Sequence, residues 1–151
     1  MFILFGVLPL LLRLVIISSG VQSQNVTCQQ GWTGYGSHCY WSQPGLKKSW
    51  EYAQTICQSH ESNLVKVETL EENLWLKTFA TLSDYPWIGA NDREKEGDWR
   101  WISDNSTVEF SDWGRAEPSN TGGNEHCAQI ITQWNDQVCT MPYGIICEKE
   151  G

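Results

Sequence analysis

The sequence predicts a single α+β domain with two helices, short antiparallel sheets and three disulfides. Three observations carry that expectation. Apolar residues recur at helical spacing in two stretches between Trp50 and Leu82, whereas from Trp87 onward they come in short runs of strand length. All six cysteines lie beyond an apolar N-terminal segment, an even count that suits an exported, disulfide-linked chain. Between Ile102 and Glu125 there is no convincing periodicity, yet Phe110 and Trp113 lie there, which marks a long loop with packed order.

The N-terminus is almost wholly apolar from Phe2 to Ile17, with Arg13 as its only charge, and small residues follow at Ser18, Ser19, Gly20 and Ser23. This is the pattern of a secretory signal peptide, expected over residues 1–23, with the domain at 24–151. The alternative is an uncleaved anchor. The run is short for a span and Arg13 interrupts it, so secretion into the extracellular space is expected and membrane insertion is not. The chain beyond the signal is long enough for one compact domain of ordinary size.

The net charge is −8, with 18 acidic residues against 10 basic ones. Such a chain will not seek phosphate backbones, so no nucleic-acid partner is expected. It could hold cations, or its acidity could serve solubility alone.

The elements follow in order. Between Cys28 and Cys39 the chain mixes glycine and aromatics, a tight loop feeding a short strand at His38–Trp41, and Pro44-Gly45 marks a turn. Trp50, Ala53, Ile56 and Cys57 share one helical face, with Ser49 as N-cap. Leu64–Val67 is a short strand. Thr69 and Glu72 form a capping box that opens a second helix, whose buried face is expected at Leu70, Leu74, Trp75, Thr78, Phe79 and Leu82. Trp87–Ala90, Asp98–Ser103, Cys127–Ile131, Trp134–Val138 and Tyr143–Glu148 read as strands. Six cysteines allow 15 pairings, and the residues alone do not choose among them. Two sequons, at Asn25 and Asn105, are candidate glycosylation sites on surface segments.

The long loop carries the candidate chemistry. Glu117, Ser119, Asn120, Glu125, Asn135 and Asp136 offer the hard oxygens that calcium prefers. Asn135 and Asp136 lie in a strand pattern where such residues are disfavoured, and polar groups placed against propensity often mark function. Pro118 stands between two candidate ligands, and a cis peptide there would turn both side chains the same way.

The chain from residue 24 resembles a C-type lectin domain over nearly its whole length. The matching features are Trp87-Ile-Gly-Ala90, Trp113 four residues before Glu117-Pro118, and Glu125 two before Cys127. Trp134-Asn135-Asp136 then stands three before Cys139, and Cys147-Glu148 closes the pattern. The resemblance implies a double-loop fold with adjacent termini. It implies pairings Cys57–Cys147 and Cys127–Cys139, and an additional Cys28–Cys39 pair of the long form. It also implies one loop-bound calcium, held by Glu117, Ser119, Glu125, Asn135 and Asp136, with two vicinal sugar hydroxyls completing its shell. Glu117, Ser119, Glu125 and Asn135 would also hydrogen-bond the sugar. A second, auxiliary calcium is implied at Asp92, Glu96 and Asn120, although Asn120 and His126 stand where carboxylates are usual.

Ser119 is the departure. Relatives that prefer mannose-type sugars usually read Glu-Pro-Asn here, and galactose-type relatives read Gln-Pro-Asp. Glu117 argues for a mannose-type glycan, but serine lacks the amide donor that would enforce it, so looser selectivity and weaker calcium binding are expected. The carbohydrate partner is therefore expected to be of mannose or galactose type. Weak single sites need several copies presented together, by self-association into a homo-oligomer or by a partner. Two further function classes compete. A calcium-independent module that binds protein is kept open by Ser119. An enzyme is disfavoured, because the three histidines lack any companion nucleophile motif.

Overall fold

The computed structural model describes residues 26–80 and 84–151. The expected signal peptide, the sequon asparagine Asn25 and Leu82, expected on the second helix, fall outside them.

Two four-stranded antiparallel sheets organise the domain. Strands β1 (Thr33–Tyr35) and β2 (His38–Trp41) form a hairpin, and β2 pairs with the last strand, β8 (Cys147–Glu150). The other edge of β8 takes β3 (Asn63–Leu64), giving the order β1-β2-β8-β3. The ends of the domain therefore meet, as implied by the family resemblance, with His38 opposite Glu150. The second sheet has the order β5-β4-β6-β7. It comprises β4 (Trp87–Asn91), β5 (Arg100–Trp101), β6 (Cys127–Ile130) and β7 (Trp134–Gln137).

Helix α1 (Trp50–Ser59) buries Trp50, Ala53 and Cys57 of the expected stripe together with Gln54, and leaves Ile56 half-buried. Ser49 precedes it without a side-chain cap bond; its carbonyl accepts from Ala53 N–H at 2.8 Å instead. Helix α2 (Leu70–Phe79) opens with one half of the expected capping box: the Thr69 hydroxyl accepts from Glu72 N–H, while Glu72 Oε2 accepts from Glu68 N–H at 2.9 Å rather than from Thr69 N–H.

The buried face of α2 differs from the expectation. Leu70 and Leu74 are 52% and 53% exposed, and Thr78 is exposed, while Glu72, Asn73 and Leu76 are buried. The cause is hydrogen bonding. Tyr40 O–H donates to Glu72 Oε1 at 2.7 Å, and Trp134 Nε1–H donates to Asn73 Oδ1 at 2.8 Å. Those two bonds rotate the polar pair inward. Trp75 and Phe79 stay half-buried, stacked on each other at 4.8 Å.

Three disulfides hold these parts: Cys28–Cys39, Cys57–Cys147 and Cys127–Cys139. Cys57–Cys147 ties α1 to β8, and Cys127–Cys139 ties β6 to the chain after β7. The two sheets meet at Gly89, whose N–H donates to Val65 O at 2.8 Å. A Cβ at Gly89 would stand 2.8 Å from Leu64 O, so only glycine fits this crossing. Trp50 closes the same junction by donating its ring N–H to Ile88 O at 2.8 Å.

A buried carboxyl on β8, that of Glu148, contributes to the pH response of the fold. The Glu148 side chain is 10% exposed and accepts from Lys66 N–H at 2.7 Å. Burial, aided by the charges of Glu72 and Glu68, pushes its pKa up to about 8 against the opposing pull of the Lys66 N–H. The native state therefore holds a proton that the unfolded chain releases near its ordinary carboxyl value. The stabilisation is complete below that value and is lost as pH rises toward 8. Denaturant unfolding in chelator should show stability falling on the order of 3 kcal/mol from pH 5 to pH 8 from this group. Glu148→Gln, which mimics the protonated acid, should flatten that slope; an unchanged slope would assign it elsewhere.

Candidate functional site

The candidate residues converge on the outer edge of the second sheet. Along β7 the side chains alternate. Trp134 and Asp136 are buried, while Asn135 and Gln137 are only partly covered. Asp136 is 0% exposed, yet carries two acceptor oxygens. They take Ser119 N–H at 2.9 Å and Asn120 N–H at 2.6 Å, which fastens the long loop onto β7.

Around that anchor the loop presents oxygen after oxygen. Glu117-Pro118 is a cis peptide bond. Glu117 Oε2 is shielded from solvent and has no hydrogen-bond partner, one of three such buried side-chain atoms among the described residues. Burial, and then the neighbouring Asp136 carboxyl, raise the Glu117 pKa against the opposing pull of Ser119. Ser119 Oγ lies 3.0 Å from Thr121 Oγ1 and donates to Glu125 Oε2 at 3.3 Å. Glu125 Oε2 also accepts from Thr121 N–H at 2.8 Å, and Asn120 Oδ1 accepts from Glu125 N–H at 3.1 Å. Gly122 and Gly123, at φ 75° and 74°, give the turn that brings Glu125 back toward Ser119. Asn135 Nδ2 donates to Asp136 O at 2.7 Å.

Three carboxyl groups, the hydroxyls of Ser119 and Thr121 and the amides of Asn120 and Asn135 thus lie in one short stretch of loop and one strand. The donor set is all hard oxygen, and one buried oxygen lacks a partner. Both properties suit a hard divalent cation.

The lectin C-type domain family matches residues 46–149. The chain belongs to the C-type lectin family. It is 38% identical to a perlucin-like protein of Mytilus galloprovincialis over 152 residues, covering 94% of this chain and 96% of that one. Human C-type lectin domain family 17 member A is also 38% identical, over 84% of this chain, which spans 33% of that protein's length. The mouse scavenger receptor C-type lectin carbohydrate-recognition domain has a similar structure, with a TM-score of 0.78 and 34% identity, covering 82% of this chain and 98% of that one. A calcium-independent type II antifreeze protein has a TM-score of 0.76 at 26% identity, covering 83% and 95%. The lectin fold therefore occurs both in a carbohydrate-recognition domain and in a calcium-independent protein.

Of the second candidate group in this lectin domain, Asp92 and Glu96 come together after β4, and His126 joins them. Asp92 Oδ1 lies 3.0 Å and Glu96 Oε2 3.4 Å from His126 Nδ1. Asn120 has its Oδ1 on the Glu125 N–H and its own N–H on Asp136. Thr121 escaped the sequence reading, although its N–H and hydroxyl position Glu125 and Ser119. Only its place two residues after Glu117-Pro118-Ser119 hinted at that role.

The loop is also anchored from behind. Asp112 Oδ2 accepts from Asn73 Nδ2 at 2.8 Å and pairs with Lys77, and Asp112 O accepts from Trp134 N–H at 2.7 Å. Although burial pushes the Asp112 carboxyl upward, Lys77, Asn73 and Gln133 outweigh it and hold the carboxyl below its ordinary pKa. Asp112→Ala should therefore cost about 1–3 kcal/mol in denaturant unfolding at neutral pH. The loss should shrink in acid, where the carboxyl protonates; an undiminished loss at low pH would assign the cost to packing alone.

Proposed function

We propose that this protein is a secreted, calcium-dependent lectin that binds glycans through Glu117, Ser119, Glu125, Asn135 and Asp136. The observation that carries the reading is the buried, unpartnered Glu117 Oε2 beside the Asp136 carboxyl. A fully buried Asp136 carboxyl beside a half-buried Glu117 carboxyl leaves a negative charge that a calcium ion would balance.

A calcium ion held there supplies coordination positions for two vicinal hydroxyls of a sugar. The side chains do the rest. Glu117 and Glu125 accept hydrogen bonds from those hydroxyls and set their orientation. The Asn135 amide adds a donor. Asp136 holds the loop in register through its two backbone N–H bonds and supplies a ligand oxygen. Ser119 contributes one hydroxyl on a short arm, already shared with Thr121 and Glu125, so the grip on the sugar is weaker than an amide would give. Glu117 favours mannose-type hydroxyl geometry, and the missing amide relaxes it toward galactose.

Secretion accords with the apolar leader, the three disulfides and the exposed sequon residue Asn105. Useful avidity on a microbial or cell surface would come from several copies presented together.

The second reading is a calcium-independent module that binds protein, and the calcium-independent antifreeze neighbour supports it. Retention of the disulfide-bonded protein on mannose and galactose resins decides between them. Binding in calcium and release by chelator supports the lectin. Flow-through on both, with no calcium uptake, supports the module. On the lectin reading, Ser119→Asn should tighten mannose binding roughly 3–10-fold in a competition assay, the effect of about one added polar bond.

A further inference from the structure

The C-type lectin resemblance implies a second calcium at Asp92, Glu96 and Asn120, and the residues present do not fit one. Calcium takes about six to eight oxygen ligands. Here Asn120 and His126 stand where carboxylates are usual, and His126 offers a nitrogen where calcium takes oxygen. Among the described residues, Asp92, Glu96 and His126 can each offer one ligand atom with all three atoms within 4.8 Å of one another.

We propose that Asp92, Glu96 and His126 form a zinc site in place of the second calcium. Imidazole nitrogen combined with carboxylate oxygen suits zinc, which takes three protein ligands and a water in tetrahedral array. The geometry is held from both sides. The Asp92 side chain is 1% exposed, and its Oδ2 accepts from Gly97 N–H at 2.8 Å, which turns Oδ1 toward His126. A second hydrogen bond of this kind orients a metal-binding carboxylate. The backbones of the two ligands are joined as well, since Asp92 N–H donates to His126 O at 3.2 Å. His126 precedes Cys127, whose disulfide to Cys139 fixes the start of β6. Glu96 is 56% exposed and comes from the loop, so it can close on the ion as the third ligand. A bare ion pair between a protonated His126 and the two carboxylates would produce the same arrangement without any metal, and metal titration separates the two. None of the three residues belongs to the Glu117–Asp136 set, so failure of one site leaves the other standing.

The test is calorimetric titration of zinc chloride into the disulfide-bonded protein with calcium already saturating. One zinc equivalent is expected, kept in a His38→Ala/His60→Ala double variant and lost in His126→Ala. His126→Asp should lose the zinc and take up a further calcium, because its ligand set becomes all oxygen. Should His126→Ala fail to fold, Glu96→Gln, altered at an exposed position, is expected to bind zinc more weakly. Absence of a zinc equivalent in the unaltered protein would overturn the proposal. So would zinc uptake unchanged by His126→Ala, or by Glu96→Gln where that variant replaces it.

Discussion

A buried carboxylate at Asp136 is the constraint on which the candidate site of this domain depends. A carboxylate removed from water is costly unless hydrogen bonds replace its hydration. Asp136 finds them in the backbone N–H groups of Ser119 and Asn120, so the long loop must lie against β7. That places Glu117 close to Asp136. Each oxygen group gathered there adds to a negative field that no lysine or arginine pairs with among the described residues. Folding without a cation leaves the charge imbalance in place, and a bound cation would relieve it.

The inward position of Asp136 is in turn set by Trp134. In a strand, residues two apart face the same way. Trp134 is wholly buried, bonded to Asn73 on α2 and met edge-on by Trp101, Phe110 and Trp113 at 5.6–5.9 Å. Its burial turns Asp136 inward and leaves Asn135 between them partly exposed. The Trp-Asn-Asp triplet is thus one packing device: an aromatic anchor, an accessible amide and a buried loop fastener. Asp112 reinforces it from the loop side by accepting the Trp134 N–H and pairing with Asn73 and Lys77 on α2.

Most of this was legible in the residues. Short-range signals with a local cause did well. The Thr69 cap, the α1 stripe and the strand at Trp87 all depend on neighbours in sequence. The disulfide pairings came through family resemblance, since the residues left all 15 combinations open. What the sequence concealed was polar burial. Hydropathy placed Leu70 and Leu74 of α2 inward, because nothing local reveals that Glu72 and Asn73 have partners 32 and 61 residues away. Strand β1 was hidden in the same way: Thr33–Tyr35 is a glycine-containing stretch that becomes a strand only because β2 pairs with it. Thr121 and the junction of His126 with Asp92 likewise need the loop already folded onto the sheet.

The most direct measurement is a calcium titration of the disulfide-bonded protein, followed by heat and by the shift in Tm, for the unaltered chain and for Glu117→Gln. If the Glu117–Asp136 carboxyl pair is the seat of a cation, calcium binds saturably at one equivalent and raises Tm, and Glu117→Gln loses most of both effects. A chain that takes up no calcium, or a Glu117→Gln variant that binds it undiminished, would contradict this.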